Sequence, residues 1–203
     1  MCIRDRSSAG DFNGDGVGDT LVGAMFYDTS TVGNIGAAYL ILGEPAYSGS
    51  NLGYADVTFT GTGASEWSGA SVSGGGDVDG DGYDDLLAAA PYAETGSVYS
   101  QGAVYVFYGP MTSDLSAASA DMALWGDSYN YMGQYSLDAY DYDNDGAEEV
   151  VVGAHYNSTG GELESDQSAM DLRVETEPQK EACLLYTSPS PRDSFRSRMP
   201  SSA

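Results

Sequence analysis

Histidine occurs once, cysteine twice, and lysine plus arginine seven times in 203 residues, against 31 aspartates and glutamates. So few Cys and His residues leave a zinc centre without its usual ligands. The two cysteines, Cys2 and Cys183, lie near opposite ends of the chain and give no disulfide framework. A net charge of −24 repels nucleic acid and anionic membrane surfaces. No apolar run is long enough to cross a bilayer, so direct membrane insertion of this stretch is not expected. Gly-x-Ser-x-Gly and Gly-x-Gly-x-x-Gly are both absent, and no acid/base pair separates itself from the other carboxylates. The expectation is therefore a protein that is not an enzyme and has no nucleic-acid partner.

What the chain does have is clustered acid. The stretch DVDGDGYDD, Asp77 to Asp85, packs five carboxylates into nine residues. Neighbouring carboxylates about 5 Å apart repel by roughly 3 kcal/mol per pair at an effective dielectric of about 20. Either the loop is splayed into water, as an Asp/Gly-rich turn often is, or a cation sits inside it. The same nine-residue template recurs as DFNGDGVGD from Asp11 to Asp19 and as DYDNDGAEE from Asp141 to Glu149. Its first positions stand 66 and 64 residues apart, which makes the chain an internal repeat.

The repeat continues between the loops. TLVGA (20–24), LLAAAP (86–91) and VVVGA (150–154) follow the three loops. GAAYLILG (36–43) returns as GAVYVFYG (102–109), and ADVTFTG (55–61) as ADMALWG (120–126). WSGASVSG (67–74) and YMGQYSL (131–137) precede the second and third loops. These short runs of β-branched, aromatic and small residues, punctuated by Gly, Ser, Asn and Asp, predict four strands per unit and no helix. Four short strands at a fixed period predict a β-propeller blade.

The order of strand, acidic loop, apolar strand and GxVYVFxG resembles the FG-GAP repeat, the blade of integrin alpha-subunit propellers. The residues that carry the resemblance run from Ser7 to Gly161. The Phe-Gly of the family name appears as Ser68-Gly69 and Met132-Gly133, and Gly-Ala-Pro as Gly23-Ala24-Met25, Ala89-Ala90-Pro91 and Gly153-Ala154-His155. These departures fall on packing positions. The resemblance implies an all-β partial propeller of about two to two and a half four-stranded blades out of an expected seven. It also implies a structural ion on the face away from the usual ligand surface.

The loop chemistry points the same way. Calcium takes six to eight oxygens at about 2.3–2.6 Å, from carboxylates and backbone carbonyls together. Positions 1, 3 and 5 supply side chains, a Gly at position 6 permits the turn, position 7 offers a carbonyl, and position 9 closes the site. The expected ligands are thus Asp11, Asn13, Asp15, the Val17 carbonyl and Asp19 in the first loop. The second has Asp77, Asp79, Asp81, the Tyr83 carbonyl and Asp85, and the third Asp141, Asp143, Asp145, the Ala147 carbonyl and Glu149. Asp84 and Glu148, at position 8, are expected to point outward. An EF-hand would need Glu at position 12, where Val22, Ala88 and Val152 stand, and helices at its flanks. Magnesium, which prefers strict octahedral geometry and retained waters, is the weaker candidate. Up to three calcium ions are expected.

The ends read differently. CLLYTS, Cys183 to Ser188, is one translation of a transposase sequencing adapter, and MCIRD, Met1 to Asp5, is a translation of its reverse complement. Residues 1–6 and 183–203 are accordingly read as adapter artefact. Removing them leaves Arg173 and Lys180 as the remaining bases. Residues 7–161 form the repeat region, with blades at about 7–61, 62–126 and 127–161, the first without its first strand and the third incomplete. Residues 162–182 break the pattern and read as a polar tail, a frameshift or chimeric join, or a linker to a following domain. His155 reads as a packing or solvent-facing residue, and Asn157 begins a glycosylation acceptor in form. The resulting expectation is a calcium-binding propeller fragment of a secreted or cell-surface protein, an adhesion or recognition module for a protein or glycan ligand. The alternative is a non-catalytic part of a larger secreted hydrolase. No leader is visible, and a truncated start does not count against export.

Overall fold

The computed structural model describes residues 5–43, 53, 55–111, 113–126, 129–142, 144, 146–154 and 185–186. The first blade is built from β1 (Asp5–Gly10), β2 (Asp19–Ala24), β3 (Ala37–Ile41) and β4 (Val57–Thr60), in that spatial order. The second repeats it with β5 (Val72–Gly76), β6 (Asp85–Ala90), β7 (Ala103–Phe107) and then β9 (Met122–Trp125). A third sheet opens with β10 (Leu137–Tyr140) and β11 (Glu149–Val152), followed by β12 (Leu185–Tyr186) in the position that β3 and β7 take. All four runs expected of a unit are strands in the second blade, and the three expected in the first are β2 to β4, arranged antiparallel. The molecule is an all-β partial propeller.

Register repeats as faithfully as sequence. Thr20 faces Ile41 across β2 and β3, and 66 residues later Leu86 faces Phe107 across β6 and β7. Each acidic loop joins the first two strands of a blade, and a bulge interrupts the ladder just before the first two loops, between Ser8 and Gly10 and between Gly74 and Gly76. An extra residue there sharpens the local twist and swings the chain into the loop.

Three features differ from the sequence expectation, and one is β12, whose two residues pair with β11 although they lie in the stretch read as adapter. Asp5 and Arg6 pair with Gly23 and Val22, so β1 gives the first blade the inner strand it was expected to lack. A further two-residue strand, β8 (Leu115–Ser116), leaves the second blade and pairs in parallel with β4 at the outer edge of the first. The Asp114 carboxylate extends this crossing by accepting the Thr58 N–H at 2.9 Å. Edge strands are open templates for unwanted pairing, and β8 covers part of this one.

The core lies between blades. Leu21, Leu40, Val57 and Phe59 of the first blade meet Leu86, Ala88, Tyr105 and Phe107 of the second. The opposite face of the second blade, with Leu87, Val104, Val106 and Leu124, meets Met132, Val150 and Val152 of the third. Because β6 and β7 are covered on both faces, every residue in them is buried. Their unbroken apolar runs thus follow from a middle position in a stack of sheets.

The family-name positions serve this stacking. Gly69 and Gly133 adopt φ of +77° and +76°, a left-handed backbone that glycine takes without strain. Their N–H groups donate to Ala89 O at 2.9 Å and Gly153 O at 2.8 Å. A Cβ on Gly69 would run into the Ala37 carbonyl of the preceding blade, and one on Gly133 into the Ala89 side chain. His155, Asn157 and residues 162–182 lie outside the described residues, as do 1–4 and, apart from β12, 183–203.

Candidate metal centres

Each acidic loop is first a backbone structure. In the second loop, Asp77 Oδ1 accepts the N–H groups of Gly80 at 2.7 Å and Asp81 at 2.9 Å, and its Oδ2 accepts Gly82 N–H at 2.8 Å. The first loop does the same with Asp11, which takes Asp15 N–H and Gly16 N–H, both at 2.8 Å. In the third, Asp141 Oδ2 accepts Gly146 N–H at 3.2 Å. Short carboxylates bonding their own backbone are the ordinary chemistry of Asx turns. The turn requires two left-handed residues. Position 6 has φ of +85°, +94° and +98° at Gly16, Gly82 and Gly146, and position 4 has +72°, +78° and +59° at Gly14, Gly80 and Asn144. Position 4 escaped the sequence reading, although Gly, Gly and Asn are the residues that adopt this conformation most easily.

The position 9 acids close the loops. Asp85 is 1% exposed; its Oδ2 accepts Val78 N–H at 2.7 Å and its Oδ1 accepts Gly109 N–H at 2.9 Å. Asp19 holds Phe12 and Gly43 N–H in the same way, at 2.9 and 2.7 Å. Glu149, despite its longer side chain, reaches Tyr142 N–H at 2.7 Å. Each of these carboxylates thus ties the second residue of its own loop, and in the first two blades the end of the third strand as well. The donors Phe12, Val78, Tyr142, Gly43 and Gly109 act through their backbone, which is why their side-chain identities gave no sign of the role.

Burial pushes the Asp85 carboxyl up to about 7, against the opposing pull of the Gly109 and Val78 N–H groups. Desolvation raises Asp19 in the same sense, though bonds from Gly43 and Phe12 counter it. Arg6 is the one Lys or Arg among the described residues.

The second loop gathers Asp77, Asp79 and Asp85, with one carboxylate oxygen from each all within 4.8 Å of one another. Calcium–oxygen distances of about 2.3–2.6 Å place ligands on opposite sides of the ion about 5 Å apart, so this donor set suits calcium. The N–H bonds do not exhaust it, since each ionised carboxylate has about four lone-pair sites. Asp81 is not among the three; it is exposed, and its Oδ1 accepts Tyr83 N–H at 2.9 Å. In the first loop Asn13 stands at position 3, where its Nδ2 donates to Asp15 Oδ2 at 2.9 Å, while Asp15 Oδ1 accepts Val17 N–H at 2.8 Å. In the third loop Asp143 and Asp145 lie outside the described residues, whereas Asp141, Ala147 and Glu149 occupy the same positions as their counterparts.

Position 8 does not behave as expected. Asp84 and Glu148 do not point into solvent: Asp84 Oδ2 accepts the Asp11 N–H at 2.5 Å, and Glu148 Oε2 accepts the Asp77 N–H. Each carboxylate reaches the first residue of the loop in the preceding blade. Nothing within a single loop could show this, because the partner lies more than seventy residues earlier in the chain.

Comparison with known proteins agrees with the blade architecture. Residues 68–107 match the FG-GAP repeat. The chain is 32% identical over 157 residues to integrin alpha-5 of Xenopus laevis, covering 72% of this chain and 14% of that protein. It is 34% identical over 149 residues to human integrin alpha-IIb, with 71% and 14% covered. A phosphatidylinositol-glycan-specific phospholipase D of Mus musculus is 30% identical over 158 residues, with 75% and 18% covered. The chain thus spans less than a fifth of the length of these relatives. With the repeated strand order, the glycine-mediated stacking of blades and these matches together, the chain belongs to the FG-GAP repeat family and forms part of a β-propeller.

Proposed function

We propose that this chain is a calcium-stabilised propeller module of a secreted or cell-surface protein, serving adhesion or recognition of a protein or glycan ligand. The observation that carries the reading is the convergence of Asp77, Asp79 and Asp85 in a region whose described residues include one base. A divalent ion supplies the counter-charge that the sequence omits, and it joins the first two strands of the blade. Its role is structural: binding to the folded state alone adds RT ln(1 + [L]/Kd) of stability, about 1.4 kcal/mol per site at ten times Kd. The similarity to integrin alpha chains supports the surface setting and the recognition role.

Thermal unfolding of the chain in calcium, in magnesium and in chelator tests the reading. Calcium is expected to raise the melting temperature well above both other conditions. Identical melting in calcium and chelator would overturn it.

A second reading has its own support. The phospholipase D relatives of mouse and rat are 30–31% identical over 158 residues, so the blades also suit a non-catalytic part of a larger secreted hydrolase. A hydrolase domain on the same reading frame in the parent gene would decide for it.

A further inference from the structure

We propose that the position 8 carboxylates, Asp84 and Glu148, are positioning residues that hold the first cation ligand of the preceding blade, so that the loops are chained in one direction around the propeller. The inference rests on the calcium reading above and adds a role for residues outside the expected ligand set.

The same contact occurs at both blade interfaces, with different residues. Asp84, from the second loop, accepts the N–H of Asp11 in the first at 2.5 Å. Glu148, from the third loop, accepts the N–H of Asp77 in the second, and its own N–H returns to Asp77 O at 2.9 Å. Asp77 is therefore gripped at both backbone polar groups by one residue of the next blade. Its side chain meanwhile folds over its own loop and contributes to the three-carboxylate cluster. A hydrogen bond to an ionised acceptor is strong and directional. Fixing the peptide of position 1 fixes where its carboxylate projects, in the way that groups behind metal ligands orient them.

The packing beside each contact is close. A Cβ on Gly109 would lie 2.6 Å from Asp84 O and 2.9 Å from Phe12 O, and one on Gly76 would lie 3.3 Å from the Glu148 Cβ. The Tyr83 ring, next to Asp84, occupies the space that a side chain on Gly14 would need. Two adjacent loops are thus pressed together, and the position 8 acid is the charged link between them. The first loop has Gly18 at this position and offers no such carboxylate.

Calcium titration of the full chain, followed by amide resonances, separates the loops. Gly16, Gly82 and Gly146 donate to the first ligand of their respective loops, so each reports its own site. Glu148→Ala is expected to weaken calcium binding read at Gly82 by about tenfold or more, and to leave the Gly16 response in place. Asp84→Ala is expected to weaken the response at Gly16 and spare Gly146. Glu148→Gln, which keeps an acceptor oxygen, should restore most of the affinity at Gly82. An unchanged midpoint at Gly82 in Glu148→Ala, or an equal loss in all three loops, overturns the proposal.

If Gly82 of the unaltered chain ignores calcium, the cation reading itself fails, and hydrogen exchange then judges the link alone. The amides of Asp77 and Asp11 should exchange at least about tenfold faster in Glu148→Ala and Asp84→Ala respectively, which corresponds to about 1.4 kcal/mol of lost protection. Unchanged exchange overturns the link.

Discussion

A buried carboxylate with no base nearby needs hydrogen bonds from the backbone and either a bound cation or a proton to offset its desolvation. Asp85 shows both needs: two N–H donors grip it, and burial still pushes its carboxyl up to about 7. Asp85→Asn keeps the shape but turns an NH2 group toward one of those donors. The expected result is a loss of about 1–3 kcal/mol in calcium, from the N–H left unpaired, with a much smaller loss in chelator, where the buried charge is itself a burden. Urea unfolding in both conditions measures the difference; equal losses would show that the charge has no cation to meet. Gly82 isolates a second residue-level effect. Nothing lies within 4 Å of a Cβ built there, yet its φ is +94°. Gly82→Ala is therefore expected to cost about 1–2 kcal/mol through backbone strain alone, read from the shift in the urea midpoint with an unchanged slope.

At the scale of elements, the blade is held by what lies between sheets. Phe107 is 1% exposed, and its ring centroid lies 4.9 Å from that of Phe59 across the first interface. Phe107→Ala is expected to cost about 3–5 kcal/mol, enough to undock the first two blades in a chain of ordinary marginal stability. Loss of the cooperative unfolding transition would report it, whereas a transition shifted by under about 1 kcal/mol would show that this interface contributes little. A smaller contrast is expected at the covered edge. Leu115→Asp places a charge where β8 pairs beside Phe59. It should free β4, detectable as faster amide exchange in residues 57–60 with little change in residues 103–107.

For the whole molecule, the governing quantity is charge. Net −24 over 203 residues opposes compaction, and one base lies within the described residues. In chelator, sodium chloride near 0.5 M should raise the melting temperature by screening this repulsion. Millimolar calcium should raise it further at far lower ionic strength, because an ion seated among three convergent oxygens acts locally. Equal effects of the two salts at matched ionic strength would reduce calcium to a screening ion. The blade stack also brings aromatic residues together at the strand ends away from the acidic loops, Phe26 exposed and Trp67, Tyr92 and Tyr131 half-buried. Phe26, Trp67, Tyr92 and Tyr131 make successive ring contacts across the three blades, with centroids 5.3, 4.3 and 5.1 Å apart. Residues from separate repeats meet there, so this row belongs to the assembled molecule.

The amino-acid order alone determined the repeat, the four strands of a full blade and the position 6 turn of the acidic loops. These depend on residues a few positions apart: Asp at position 1 reaches the N–H groups of positions 5 and 6, and Gly at position 6 supplies the left-handed backbone. Apolar runs such as LLAAA and AVYVF announced strands, and the structure showed them covered on both faces. Tertiary structure decided the rest. That Asp84 and Glu148 turn toward the preceding loop and that Leu115 and Ser116 cross to a neighbouring edge are contacts between distant parts of the chain. Their partners are backbone groups, which carry no residue-specific signature, and the pairing exists only once packed cores bring the blades side by side.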